Sequence, residues 1–168
     1  MASTFRPGKV LTAVMTIIAL AIATAVLYAI APTPAEAGGT ATCRGFAASI
    51  TGTAGADQLA GTAGRDVIVS RGGADQIQSR GGNDLICADG GNDQILGGPG
   101  RDRVFGGQGD DQIAGGGGAD RLSGQRGNDE LAGNDGDDRI HGGGGFDIGF
   151  GGTGADTCTA VDFTVSCA

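Results

Sequence analysis

Aliphatic side chains return every nine residues through most of this chain: Leu59, Ile68, Ile77, Ile86, Ile95, Val104, Ile113, Leu122, Leu131 and Ile140. The triplet centred on each alternates out, in, out, which is the period of a short strand with one buried face. Between triplets lie glycines, which let the backbone turn through positive φ without a Cβ clash. Framed from Gly52, twelve nonapeptides run to Thr159 without an insertion, and each is predicted as one turn followed by one short strand. The aliphatic eighth place lapses at Gly149 and Cys158 alone.

One such unit cannot bury its face. Two units facing each other can, and coils stacked about 4.7 Å apart make two parallel sheets. The seventh place sorts the units into two kinds. Odd repeats carry Gln58, Gln76, Gln94, Gln112, Glu130 and Ile148; even repeats carry Val67, Leu85, Arg103, Arg121, Arg139 and Thr157. The predicted fold is therefore all-β, a right-handed parallel β-solenoid with two nonapeptides per coil. Four stacked Gln suggest an amide ladder. Three stacked Arg should repel one another unless acids or an anionic partner offset them.

Composition supports a repeat architecture. With 36 Gly, no Trp and one Tyr among 168 residues, a core of large side chains cannot be assembled. Glycine without a three-residue period excludes collagen, and the strict nine-residue period argues against disorder. Residues 1–37 stand apart. Arg6 and Lys9 precede an apolar run from Val10 to Ile30, then Pro32, Pro34 and the small-x-small "AEA" ending at Ala37. They read as a secretory signal peptide cut after Ala37. The competing reading is an uncleaved membrane anchor, because about 20 apolar residues span a bilayer. Without this segment the chain keeps 18 acids and 9 bases, a net charge of 9 − 18 = −9, and no Lys. That sign excludes nucleic-acid backbones as partners and points to cations.

The fourth place is Gly in all twelve units, and the sixth is Asp: Asp57, Asp66, Asp75, Asp84, Asp93, Asp102, Asp111, Asp120, Asp129, Asp138, Asp147 and Asp156. Stacking sets these in two columns of six. Like charges so arranged destabilise the coil unless something positive lies between them. Calcium fits, since it takes six to eight oxygen ligands in flexible geometry and a glycine turn offers backbone carbonyls beside the carboxylate. Magnesium wants a tighter octahedron, and zinc wants the His or Cys that the turns lack. The alternative is a solvated rim without ions; the twelvefold register weighs against it.

Units of the form G-G-x-G-x-D-x-aliphatic-x across residues 52–159 resemble the haemolysin-type, or repeats-in-toxin, calcium-binding family. The resemblance implies a β-roll in which calcium lies between successive turns on one side, held by the sixth-place Asp and turn carbonyls. It would place Asp57 and Asp75 on one ion, Asp66 and Asp84 on another, and so on, for about ten Ca2+ sites. First-place Ser70, Ser79 and Ala88 depart from the pattern and are expected to weaken their turns without losing sites.

Degenerate units flank the repeats as caps over sheet edges. In residues 38–51, "CRGFAASIT" puts Ile50 in the eighth place and Ala48 where Asp would be. In residues 160–168, "AVDFTVSCA" puts Cys167 in the eighth place. Four Cys in a secreted chain imply two disulfides, with three possible pairings. Cys158 and Cys167, both inward in this frame, pair with each other, leaving Cys43 with Cys87. Facing sheets lie about 10 Å apart, beyond the reach of about 7 Å between bridged Cα atoms. The end must pinch, or this pairing fails.

Catalytic readings find no support. His141 sits at an outward ninth place with no nucleophile and acid arranged around it, and the Cys lack a C-x-x-C redox spacing. Every G-x-G fragment runs into an Asp rather than a phosphate loop. "NDGDD" at 134–138 lacks the Glu that closes an EF-hand. The expectation is a secreted, extracellular, non-enzymatic protein that folds on binding calcium, each site weak at about 10⁻⁴ to 10⁻³ M. Beyond calcium, its partner is a cell-surface glycan or another secreted protein, with no nucleic acid and no membrane after cleavage. Two roles remain open: a surface or adhesive structural module, and an assistant that helps a secreted hydrolase fold or be secreted, acting in trans.

Overall fold

A computed structural model describes residues 41–167, so the expected signal peptide over residues 1–37 lies outside the described residues. Every described element is a strand. The N-terminal segment holds β1 (Thr42–Cys43), β2 (Phe46–Ala47) and β3 (Ile50–Thr51). Three-residue strands follow: β4 (Gln58–Ala60), β5 (Val67–Val69), β6 (Gln76–Gln78) and β7 (Leu85–Cys87). Six-residue strands come next: β8 (Gln94–Pro99), β9 (Arg103–Gln108), β10 (Gln112–Gly117), β11 (Arg121–Arg126), β12 (Glu130–Asp135), β13 (Arg139–Gly144) and β14 (Ile148–Thr153). The chain closes with β15 (Thr157–Thr159) and β16 (Phe163–Val165).

Alternate strands pair in parallel, giving one seven-stranded sheet from β4 to β16 and another from β3 to β15. The register is eighteen residues, as the seventh-place alternation requires: Gln58 lies beside Gln76, Gln76 beside Gln94, and Arg103 beside Arg121. The two rows of eighth-place aliphatics meet between the sheets in a single buried column from Leu59 to Ile140. The Gln side chains stack in register but exchange no hydrogen bonds, their outward amides being left to water.

The first place of the next unit is Gly, Ser or Ala, and β4 stops before it even at Gly61. In β8 to β14 the strand runs on through a glycine, where a Cβ would crowd the carboxylate: at Gly97 it would lie 2.6 Å from Asp102 Oδ2. Strands β5, β6 and β7 stop short of Ser70, Ser79 and Ala88, which do carry a Cβ. The two hydroxyls are buried and donate across the coils, Ser70 to Ala88 O at 2.9 Å and Ser79 to Gly97 O.

The ends differ from the simple extension of the frame. At the N-terminus β3 does extend its sheet, with Ile50 beside Ile68. The antiparallel hairpin β1–β2, however, lies on that sheet's outer face, burying Cys43 with Val69, Leu85 and Cys87. The Cys43–Cys87 bridge, with Cα atoms 5.7 Å apart, fastens it there. Apolar Val67, Val69 and Leu85 at outward places were the clue to this cover. At the C-terminus β16 pairs with β14 so that Thr164, not Cys167, stands beside Gly149. The last coil is thus fifteen residues long. Without an eighth-place side chain at Gly149 the coil draws in, and Val161 comes within 3.1 Å of where a Cβ would be. Cys158 and Cys167 are bridged at a Cα separation of 5.6 Å, although Cys167 follows the strand instead of occupying its eighth place.

Candidate metal centre

The turns explain the invariant glycine. From Gly73 to Gly154 the ten fourth-place glycines all have φ between +114° and +148°. The carbonyl of the fourth-place Gly one coil earlier presses against each Cα, so that at Gly91 a Cβ would fall on Gly73 O. Backbone therefore packs on backbone through the corner of the roll.

The sixth-place Asp closes that corner from one side only. Its backbone N–H donates to Oδ1 of the Asp one coil later, from Asp57 to Asp75 at 2.8 Å through to Asp138 and Asp156 at 2.9 Å. Oδ1 is thereby fixed. In Asp75, Asp84, Asp93, Asp102, Asp111, Asp120, Asp129, Asp138, Asp147 and Asp156 the other oxygen, Oδ2, is buried without a hydrogen-bond partner. An ionised oxygen buried in this way is costly unless a cation or donor meets it. Burial pushes Asp93, Asp120 and Asp129 up to about 6, and Asp102 and Asp111 up to about 7, against the pull of the backbone N–H. Stacked carboxylates raise them further.

Asp57 and Asp66 are satisfied locally. Thr53 donates to Asp57 Oδ2 through its N–H at 2.6 Å and its hydroxyl at 3.0 Å, and Thr62 does the same for Asp66. The roll thus has two closed turns followed by ten open ones. Among the described residues no three His, Cys, Asp or Glu side chains converge on a common point. An ion in an open turn must take most of its ligands from backbone oxygens with a carboxylate, a set that suits a hard cation of flexible coordination and not zinc.

Two groups of residues escaped the sequence reading. Asp162 accepts a hydrogen bond from Asp147 N at 2.9 Å, standing where a thirteenth repeat would put its Asp. The shortened last coil moves it three places out of frame. The fifth place is also used: Asn83 accepts from Arg101 N at 2.8 Å, Asp110 from Asn128 N at 2.7 Å, and Asn128 from Phe146 N at 2.9 Å. The recurrence of Asn and Asp at that place was the available signal. His141 faces outward as expected, with Nδ1 3.0 Å from Thr159 Oγ1.

Parallel coils with carboxylates buried at every corner define a cation-binding repeat solenoid. The model of the RTX calcium-binding nonapeptide repeat matches the chain in four copies, over residues 51–86, 88–122, 114–149 and 123–158. The chain belongs to that family, and its solenoid is a calcium-binding β-roll. No curated protein matches it.

Proposed function

We propose that the protein is exported and that its ten open turns take up calcium, which makes the roll fold outside the cell. The observation carrying this reading is the run of ten buried Oδ2 atoms without a partner. Asp75 through Asp156, one in each turn, would hold the ions together with carbonyls of the glycine turns. Asp57 and Asp66 serve the first coil differently, since Thr53 and Thr62 already occupy their Oδ2 atoms. Calcium supplies the positive charge that the stacked carboxylates lack.

In a calcium-poor cytoplasm repulsion along the columns keeps the chain open; millimolar calcium outside removes it. Two disulfides agree with an oxidising destination. The folded roll then acts as a non-catalytic surface or structural module.

Equilibrium dialysis of the exported chain against radioactive calcium tests the assignment. Binding of close to one ion per open turn, ten in all, is expected. Saturation at about two ions, or equal uptake of zinc, would overturn it. N-terminal sequencing of the exported protein should begin at Gly38.

A further inference from the structure

Among the described residues no acid forms an ion pair with the arginine column. Arg103, Arg121 and Arg139 are direct neighbours on β9, β11 and β13, and all three are exposed. Strands about 4.8 Å apart hold these like charges in mutual repulsion. None makes an ion pair with a described residue, and Arg103 lies 5.9 Å from the Phe105 ring centroid. Asp120 and Asp137 line a recess together with Arg101, Arg121 and Arg139, and one oxygen of each accepts from a backbone N–H. In a chain of formal net charge −8, the three aligned Arg form a positive stripe on this face.

The stripe borders a groove of about 330 Å³, within the size range of ligand sites. Phe105 on β9 stands at one end and Thr159 on β15 at the other, with Ser123 and His141 between them. Guanidinium groups recognise carboxylates through two parallel hydrogen bonds. The hydroxyls of Ser123, Thr157 and Thr159 complement sugar hydroxyl groups, while the Phe105 ring already carries Arg44, 4.1 Å from its centroid. Because the cations repeat with the coil, a linear polymer with regularly spaced anions matches them better than a single anion does. Three cations are few beside the roughly six to ten phosphate contacts that nucleic-acid binding commonly uses. Of the three exposed aromatics among the described residues, Phe163 lies on the opposite sheet, Phe146 in a turn, and Phe46 on the hairpin, with Arg65 5.5 Å from its ring centroid.

We propose that this groove binds a linear acidic polysaccharide of the uronic-acid class, with successive carboxylates on Arg103, Arg121 and Arg139 and sugar hydroxyls against Ser123 and Thr159. The inference rests on the β-roll itself and not on which Asp hold calcium.

Calorimetric titration of the calcium-saturated exported chain with galacturonate trisaccharide, and with maltotriose as the neutral control, tests it. The acidic sugar should bind and the neutral one should not. Arg121→Gln should weaken binding about tenfold, and Arg121→Gln with Arg139→Gln about a hundredfold, as charged hydrogen bonds imply. Circular dichroism of each variant in saturating calcium separates lost binding from lost folding. Equal binding of the two sugars, unchanged affinity in the double variant, or no binding by the folded protein would overturn the proposal. So would Arg-dependent binding to phosphatidylserine vesicles, or Arg-dependent self-association, in place of sugar binding.

Discussion

The first two turns of the roll and the ten that follow carry the same Gly and Asp at the same places, yet they satisfy the Asp in opposite ways. Thr53 and Thr62 hold the carboxylate through a hydroxyl and an N–H. From the third turn onward the second place swings to positive φ, at Arg71 (+76°), Arg80 (+74°), Asp89 (+68°), Gln125 (+83°) and Asn134 (+76°) as well as at glycines. Oδ2 is left without a donor there. Holding a non-glycine residue at positive φ costs about 1–3 kcal/mol, which the surroundings must offset. A closed turn is complete in itself, whereas every open turn carries an unmet carboxylate oxygen and five of the ten also hold a non-glycine residue at positive φ. The G-x-D pattern alone therefore does not decide whether Oδ2 finds a donor; positive φ at the second place goes with an open oxygen.

The sharpest break in this comparison comes from the invariant glycine. Gly109→Ala forces a Cβ onto Gly91 O at φ +121°, while Gly55→Ala in a closed turn meets nothing nearer than Thr53 Oγ1 at 3.9 Å. Urea unfolding in saturating calcium should show a loss of about 3 kcal/mol or more for the first and under about 1 kcal/mol for the second. Next in size is the carboxylate itself. Asp111→Asn should remove about one calcium ion from the dialysis count and raise the calcium midpoint several-fold, while Asp57→Asn leaves the count unchanged.

Acidity should act on the open turns. The folded calcium-free state holds Asp93, Asp102, Asp111, Asp120 and Asp129 at about 6 to 7, above the ordinary carboxylate value of 3.8. Folding there binds protons, so calcium-free structure is favoured on the acid side and lost as pH rises from about 4 through 7. Calcium must displace those protons, so its midpoint should climb as pH falls from 8 to 5 in circular dichroism titrations. The smallest effect belongs to the closed turns. Thr53→Ala should cost about 0.5–1 kcal/mol, equally at low and high calcium within the folded range, because it removes a local cap and no ion ligand.

Much of the roll could be read from the chain because strict periodicity makes each residue's neighbour the one eighteen places on. The alternation of Gln58, Gln76 and Gln94 with Val67, Leu85 and Arg103 gave the coil length, and the column from Leu59 to Ile140 gave the core. The closed turns left one signal, Thr at the second place only at Thr53 and Thr62, but the backbone angle that completes the closure was not legible. The fifteen-residue last coil hid Asp162, because its length follows from packing around Gly149 and not from any repeat. The hairpin on the outer face was half visible: Val67, Val69 and Leu85 are too apolar for water, but nothing in their spacing says what covers them. Arg103, Arg121 and Arg139 stand side by side as the eighteen-residue register requires, without an ion pair to a described residue.

The most direct test of the central claim is circular dichroism of the chain from Gly38 onward, titrated with calcium and separately with magnesium. The account predicts a disordered spectrum in chelator and a cooperative change to β-structure at about 10⁻⁴ to 10⁻³ M calcium, with magnesium failing to replace it. A full β-spectrum in excess chelator at neutral pH, or persistent disorder through about ten millimolar calcium, would contradict it.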